Sequence, residues 1–420
     1  MKKKAIIISL SIIIGFIALI FVLWRGGLEI TINKEADVKI GTKNYENVSE
    51  IKKSLFAKKY KITIGRDNYV THEAEIAIKP WRKEKLNIEL ALIPEVTQIS
   101  EETVSYPEYI NGFIYCLNID RKTILKINPK NKEVEKIDTG LTYVYSTKWS
   151  PDGKKAILFV NDYEKPENRG MSYLDDGAET NWYFNLETKE LKKLSDFIIS
   201  LRWVDNENVI YTYYDSSAKR SSLNKSKADG SNQQKMFFLP VDMDSDMFMQ
   251  VSPGGKKIAM YHDPVYGESD IFIKSLLDDS LVKITNNKIS YGPIWSYGSE
   301  KILYTIGSYP DTLPSLHIIN ADGSGNKNLN IKTISAPIYK AVFSPDDRFV
   351  YAAVPKELPK NYLSKEEKTS DSFYRIDHET GEKVLLAETE YSIQKMMLSE
   401  DEKYIYFISD GFLYSIKIKE

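Results

Sequence analysis

Trp149-Ser150-Pro151-Asp152-Gly153-Lys154-Lys155-Ala156-Ile157-Leu158 is the stretch on which the fold turns. An aromatic residue leads into Ser-Pro-Asp-Gly, and an apolar strand follows. Proline sets φ for the turn, the aspartate side chain caps it, and glycine takes the positive φ. The unit recurs as Val251-Ser252-Pro253-Gly254-Gly255, Trp295-Ser296-Tyr297-Gly298-Ser299, Phe343-Ser344-Pro345-Asp346-Asp347 and Leu398-Ser399-Glu400-Asp401-Glu402, with a weaker copy at Trp203-Val204-Asp205-Asn206. The serines at 252, 296, 344 and 399 stand 44, 48 and 55 residues apart, and Ser150 precedes Ser252 by 102 residues, or two units. Each unit also carries a later tight turn, such as Asp229-Gly230, Asp322-Gly323 or Glu379-Thr380-Gly381, of the kind that joins antiparallel strands.

A period of 40–50 residues with several strands per unit is the signature of propeller blades. The pattern resembles the WD40-like or TolB-type β-propeller repeats, whose hallmark is the Ser-Pro-Asp-Gly turn. The resemblance covers residues 100–420 and implies seven blades starting near 107, 146, 200, 248, 292, 340 and 394; six or eight remain open, because the end copies are weak. The final unit holds three strands. Glu101–Tyr106 is the expected fourth, which would close the ring and remove its open edge.

Upstream, residues 26–95 alternate in strand fashion: Leu28-Glu29-Ile30-Thr31-Ile32, Val38-Lys39-Ile40, Tyr60-Lys61-Ile62-Thr63-Ile64, Glu75-Ile76-Ala77-Ile78 and Leu86-Asn87-Ile88-Glu89-Leu90. Short alternating strands separated by turns predict a small antiparallel sandwich, with Gly26-Gly27 as a hinge before it and Pro94 closing it. This stretch is similar to the PEGA domain family through Ala36-Asp37-Val38-Lys39-Ile40-Gly41 and the segment from Lys59 to Tyr69. The name-giving tetrapeptide is degraded to Lys34-Glu35-Ala36-Asp37, and Asn68 stands where glycine is usual. The resemblance implies a stalk or binding module without catalysis.

Met1-Lys2-Lys3-Lys4 opens the chain, and an apolar run follows from Ala5 to Trp24, closed by Arg25. Twenty helical residues span roughly 30 Å, the thickness of a bilayer's hydrocarbon core. The run is longer than the apolar core of a cleaved signal peptide and lacks small residues at its end. Residues 1–25 are therefore expected to be a cytoplasmic tip and single transmembrane anchor. The lysines stay inside and the bulk of the chain is extracytoplasmic, at the cell membrane. The fold class expected is all-β: a transmembrane helix, a small PEGA-like β-sandwich and a β-propeller.

The formal charge is −2, and −6 once residues 1–25 are set aside. No long-range field suited to nucleic acid results. Cys116 is the sole cysteine, so neither an intramolecular disulfide nor a thiolate metal cluster can form. Asp242-x-Asp244-x-Asp246 opens like a calcium loop, but Met247 replaces the turn glycine and Pro253 occupies the position of the bidentate glutamate. His72, His262, His317 and His378 are scattered and form no metal-binding pair. No metal and no cofactor is expected. The nucleophile elbow, the P-loop and the dinucleotide fingerprint are all missing, which argues against an enzyme.

Function is expected on the long loops between second and third strands, which leave a propeller on one face. They carry Tyr163, Tyr173, Asp175 and Asp176; His262, Asp263 and Tyr266; Tyr309 and Asp311; and Tyr362. These are the candidate binding residues; none is assigned a catalytic role. The structural alternative is solvated polar insertions with no ligand. Lys58-Lys59-x-Lys61 in the small domain suits either contact with anionic lipid or wall polymer, or protection of a strand edge. The sequence thus points to an anchored extracytoplasmic binding or scaffold protein. Its partners would be the membrane, through residues 5–24, and an envelope protein or cell-surface glycan, with no nucleic acid. The alternatives are a glycan-active enzyme, with a carboxylate pair such as Asp175 and Asp263 facing the channel, and an accessory or sensory subunit of an envelope complex.

Overall fold

The structure, a computed structural model, describes residues 24–90, 93, 95–161, 179–215, 217–239, 248–261, 270–278, 280–285, 290–307, 315–332, 337–357 and 369–418. The chain divides into two compact units between Ile93 and Pro94.

In the first unit, β1 (Arg25–Ile40) pairs along its length with β2 (Lys43–Phe56). Its second half also pairs antiparallel with β3 (Lys59–Gly65), which pairs in turn with β4 (His72–Ala77). Its first half pairs parallel with β5 (Lys83–Ile88). Gly26-Gly27 is not a hinge but lies inside β1. The strands form one connected mixed sheet, not an antiparallel sandwich, because a single 16-residue strand with irregular register between Thr31 and Val38 serves both halves. Period-two alternation sends Leu28, Ile30, Ile32, Val38, Ile40, Ile62, Ile64 and Ile88 into one core.

The expected transmembrane helix is not part of this architecture. Among the described residues the only helix is Pro337–Lys340, and no helix is long and apolar enough to cross a membrane. Residues 1–23 lie outside the described residues. Trp24 and Arg25, assigned from sequence to the end of the anchor, instead lead into and begin β1. Hydropathy reads the run as apolar but does not distinguish where a helix would stop and a strand start.

Among the described residues the second unit is seven four-stranded antiparallel sheets. Their first strands are Val104–Ile110, Val144–Trp149, Ile198–Trp203, Phe248–Val251, Ser290–Trp295, Ala341–Phe343 and Lys395–Leu398, for blades 1 to 7. Successive first strands touch, with Pro337–Lys340 bridging blades 5 and 6, and the strand of blade 7 touches that of blade 1, so the ring closes. The fourth strand of blade 7 is Val96–Gln98, paired with Phe412–Lys417. Glu101–Tyr106, expected there, runs instead into the first strand of blade 1. Closure thus hydrogen-bonds the two ends of the propeller to each other and covers the edge of Phe412–Lys417 with Val96–Gln98, a three-residue outer strand.

The recurring turn explains itself in contacts. The Ser150 hydroxyl donates to Asp152 Oδ1 at 2.6 Å and accepts the Lys155 amide at 3.0 Å, while the Lys154 amide donates to the same carboxylate. Gly153 sits at φ +70°. Ser344 and Ser399 repeat these bonds, and all five turn serines are buried. The positive-φ position is filled by Gly255, Ser299, Asp347 and Glu402 in the other copies. Asp347 and Glu402 stand there in copies that keep the serine–aspartate contact, which holds the turn without glycine.

Candidate binding site in the propeller channel

The first strands line the middle of the ring, and their register lets positions be compared blade by blade. Two residues before the turn serine stand Lys148 opposite Ile157 and Gln250 opposite Ala259; Arg202 opposite Ile210 holds the same place before Val204, and in blade 1 the equivalent is Glu108 opposite Tyr115. Four consecutive blades thus place Glu, Lys, Arg and Gln at one level. The other three place Ile294, Val342 and Met397 there. Lys395 lies two residues before Met397 on the strand of blade 7.

These side chains interact. Lys148 Nζ is 3.3 Å from Glu108 Oε1, with the lysine 39% and the glutamate 27% exposed, so the pair is reachable by water. Arg202 donates from Nη1 to the Leu201 carbonyl at 2.7 Å, and its Nε has no hydrogen-bond partner. Burial pulls the Arg202 guanidinium below its ordinary pKa, opposed by Tyr261, Glu108 and Tyr145. Burial also pulls the Lys395 ammonium down to about 8; the charge of Lys148 adds to this and that of Glu108 opposes it. Lys395 Nζ lies 5.6 Å from the centre of the Tyr339 ring. Three cations therefore surround one carboxylate in a partly desolvated space, in a unit whose own net charge is −9. Local charge of that sign attracts an anion, and low dielectric strengthens the attraction.

The blade-to-blade frame behind this level is held by tryptophans. The Trp203 indole donates to the Lys148 carbonyl at 2.8 Å and that of Trp295 to the Gln250 carbonyl at 2.9 Å, each reaching back to the preceding blade. Trp149 packs on Tyr115 with ring centres 4.2 Å apart, and its Nε1 has no partner.

Tyr163, Tyr173, Asp175, Asp176, His262, Asp263, Tyr266, Tyr309, Asp311 and Tyr362 all lie outside the described residues. What is described is their attachment: each segment joins the second strand of a blade to its third, in blades 2, 4, 5 and 6. Asp242, Asp244 and Asp246 also lie outside. Among the described residues no group of three His, Cys, Asp or Glu side chains is placed to hold a metal ion. His378 is buried with Nε2 2.8 Å from the Asp347 carbonyl oxygen, a structural contact between turns. Cys116 is fully buried and its thiol is pushed up to about 12, which makes it unreactive. The channel level escaped the sequence reading although its signal was present: the column one residue before the aromatic or apolar residue that opens each repeat reads Lys, Arg, Gln, Ile, Val, Met.

No protein-family model matches the chain, and no curated protein matches it. Solved structures do. The crystal structure of the tricorn protease aligns with a TM-score of 0.51 at 10% identity, over 90% of this chain and 40% of the protease chain. A chain of the mitotic checkpoint complex aligns with a TM-score of 0.51 at 12% identity, over 78% of this chain and 92% of its own. Both neighbours are propellers of the WD40 type. The second unit is a β-propeller. At such identities the likeness establishes fold alone, and this chain spans only two fifths of the protease chain it matches.

Proposed function

We propose that the chain is an extracytoplasmic binding or scaffold protein whose propeller engages an envelope protein or a cell-surface glycan through an acidic group seated in the channel. The observation that carries this reading is the cation excess in the channel: Lys148 and Arg202 at matched positions, with Lys395 two residues from that level in blade 7, against Glu108. The four long connections between second and third strands supply surface for the rest of the partner. Catalysis on a glycan would call for two carboxylates roughly 5–9 Å apart. Among the described residues Glu108 is the one carboxylate at the matched level, and Lys148 engages it.

The test is crosslinking in intact cells with the full chain, its Lys148→Gln/Arg202→Gln variant and variants with the four connections shortened. The expected result is specific capture by the wild type and its loss in both variants. Equal capture by all three proteins would refute the assignment. If no protein is captured, acidic glycans are titrated against wild type and the channel variant; equal affinities would refute it as well.

A further inference from the structure

The first unit carries fourteen Lys and Arg against ten Asp and Glu between residues 24 and 93, opposite in sign to the propeller unit. The excess is not evenly spread. Where β1 begins, a groove of about 520 Å³ is lined by Arg25, Lys52, Lys53, Arg82 and Lys83, with Trp81 on its rim. Two acidic groups reach into this cluster: Glu29 pairs with Lys83 at 2.6 Å and Lys52 at 3.5 Å, and Glu50 also pairs with Lys52. Arg25, Lys53 and Arg82 remain exposed to solvent.

Trp81 is 77% exposed and holds φ +58°, a left-handed conformation that bulky residues avoid. Its presentation is built. The Trp81 amide donates to the Arg25 carbonyl and the Gly27 amide to the Arg82 carbonyl, both at 2.8 Å. Gly26 permits the close approach, since a Cβ there would collide with the Lys79 carbonyl oxygen. Trp24, 56% exposed, and Phe56 lie at the same end: the Trp24 carbonyl accepts the Ala57 amide, and Phe56 pairs with Arg25 in register. Exposed indoles among arginines and lysines are the composition of a membrane interface. The chain entering at this point is apolar from Ala5 to Trp24.

We infer that this end of the first unit docks on an anionic lipid surface, with the phosphate headgroups held by Arg25, Lys53 and Arg82 and the Trp81 indole seated among them. The lysines that sequence alone singles out lie elsewhere in this unit, on β3 and just before it. Lys59 and Lys61 pair across the sheet with Glu75 and Glu73, at 3.7 and 2.9 Å.

The full chain is sedimented with vesicles of phosphatidylcholine alone and of phosphatidylcholine with phosphatidylglycerol. It is compared with Arg25→Gln/Lys53→Gln/Arg82→Gln, with Trp81→Phe, and with Lys2→Gln/Lys3→Gln/Lys4→Gln as a control for the basic tail. At about 1 kcal/mol per cation near an anionic surface, the groove variant should lose on the order of 100-fold in partitioning to the anionic vesicles. The control should retain the groove's share, and salt should weaken it. Brominated anionic lipid should quench the fluorescence difference between wild type and Trp81→Phe. Three results would overturn the inference: unchanged anionic preference in the groove variant, no quenching of Trp81, or tighter binding to soluble poly(glycerol phosphate) than to the vesicles. The last would assign the groove to a wall polymer.

Discussion

Lys340 and Asp371 form the most buried ion pair among the described residues: Nζ lies 2.7 Å from Oδ2, with the side chains 8% and 0% exposed. Lys340 ends the helical turn that leads into the first strand of blade 6, and Asp371 starts the third strand of that blade. The same Oδ2 accepts the Ile393 amide at 2.7 Å, just before the first strand of blade 7, while Oδ1 has no partner. The Asp371 carbonyl also accepts the Thr389 hydroxyl at 2.8 Å. One carboxylate thus fastens the passage from blade 6 to blade 7. Removing either partner strands a buried charge, so Asp371→Asn and Lys340→Met should each cost about 3–5 kcal/mol, a large share of a total stability of roughly 5–15 kcal/mol. Asparagine keeps an acceptor for the Ile393 amide and methionine fills the space of the lysine stem. The double variant should therefore lie within about 1–2 kcal/mol of wild type, because desolvation of both charges is no longer required. Urea unfolding of the four proteins, with hydrogen exchange at the Ile393 amide, measures the cycle. Additive losses, with a coupling below about 0.5 kcal/mol, would refute the reasoning. So would single variants as stable as wild type.

Trp203→Phe should cost about 1 kcal/mol more than Trp149→Phe, since only the former strands a carbonyl that has lost its donor; urea midpoints at equal slope decide it. Gly255→Ala should destabilise by about 1–3 kcal/mol, because φ is +66° and the new Cβ would lie 2.8 Å from the Val204 carbonyl oxygen of the neighbouring blade; equal stability would refute the packing described. Lys395→Met should stabilise the protein below pH 8. The folded channel lowers the ammonium pKa from 10.5 to about 8, so the wild type carries a penalty wherever both folded and unfolded states are protonated. That penalty is at most roughly 3–4 kcal/mol and is reduced by water in the channel. The advantage of the variant should fade as pH rises from 8 to 10.5, and a pH-independent difference would discount the burial of this lysine.

The repeat was legible because its turn is local chemistry. Ser, Asp and a positive-φ residue satisfy one another within six positions, so Ser150, Ser344 and Ser399 announce the same geometry wherever they recur. Alternation likewise marked which of Leu28, Ile30 and Ile32 face the core. Neither the parallel partner of β1 nor the segment that closes blade 7 could be read this way. Val96–Gln98 and Glu101–Tyr106 are both strand-like, and the choice between them depends on which edge each one meets across more than 300 residues of chain.

The channel illustrates the same division. By itself the sequence determined the turns, the strand period and the repeat, all set by interactions within a few residues. Only the tertiary structure decided that Glu108, Lys148, Arg202 and Lys395, up to 287 positions apart in the chain, share one partly desolvated space. It likewise decided that a loop tryptophan is held beside the start of β1. The physical reason is that burial and charge act through space, and ring closure, not sequence proximity, sets which side chains feel each other's field.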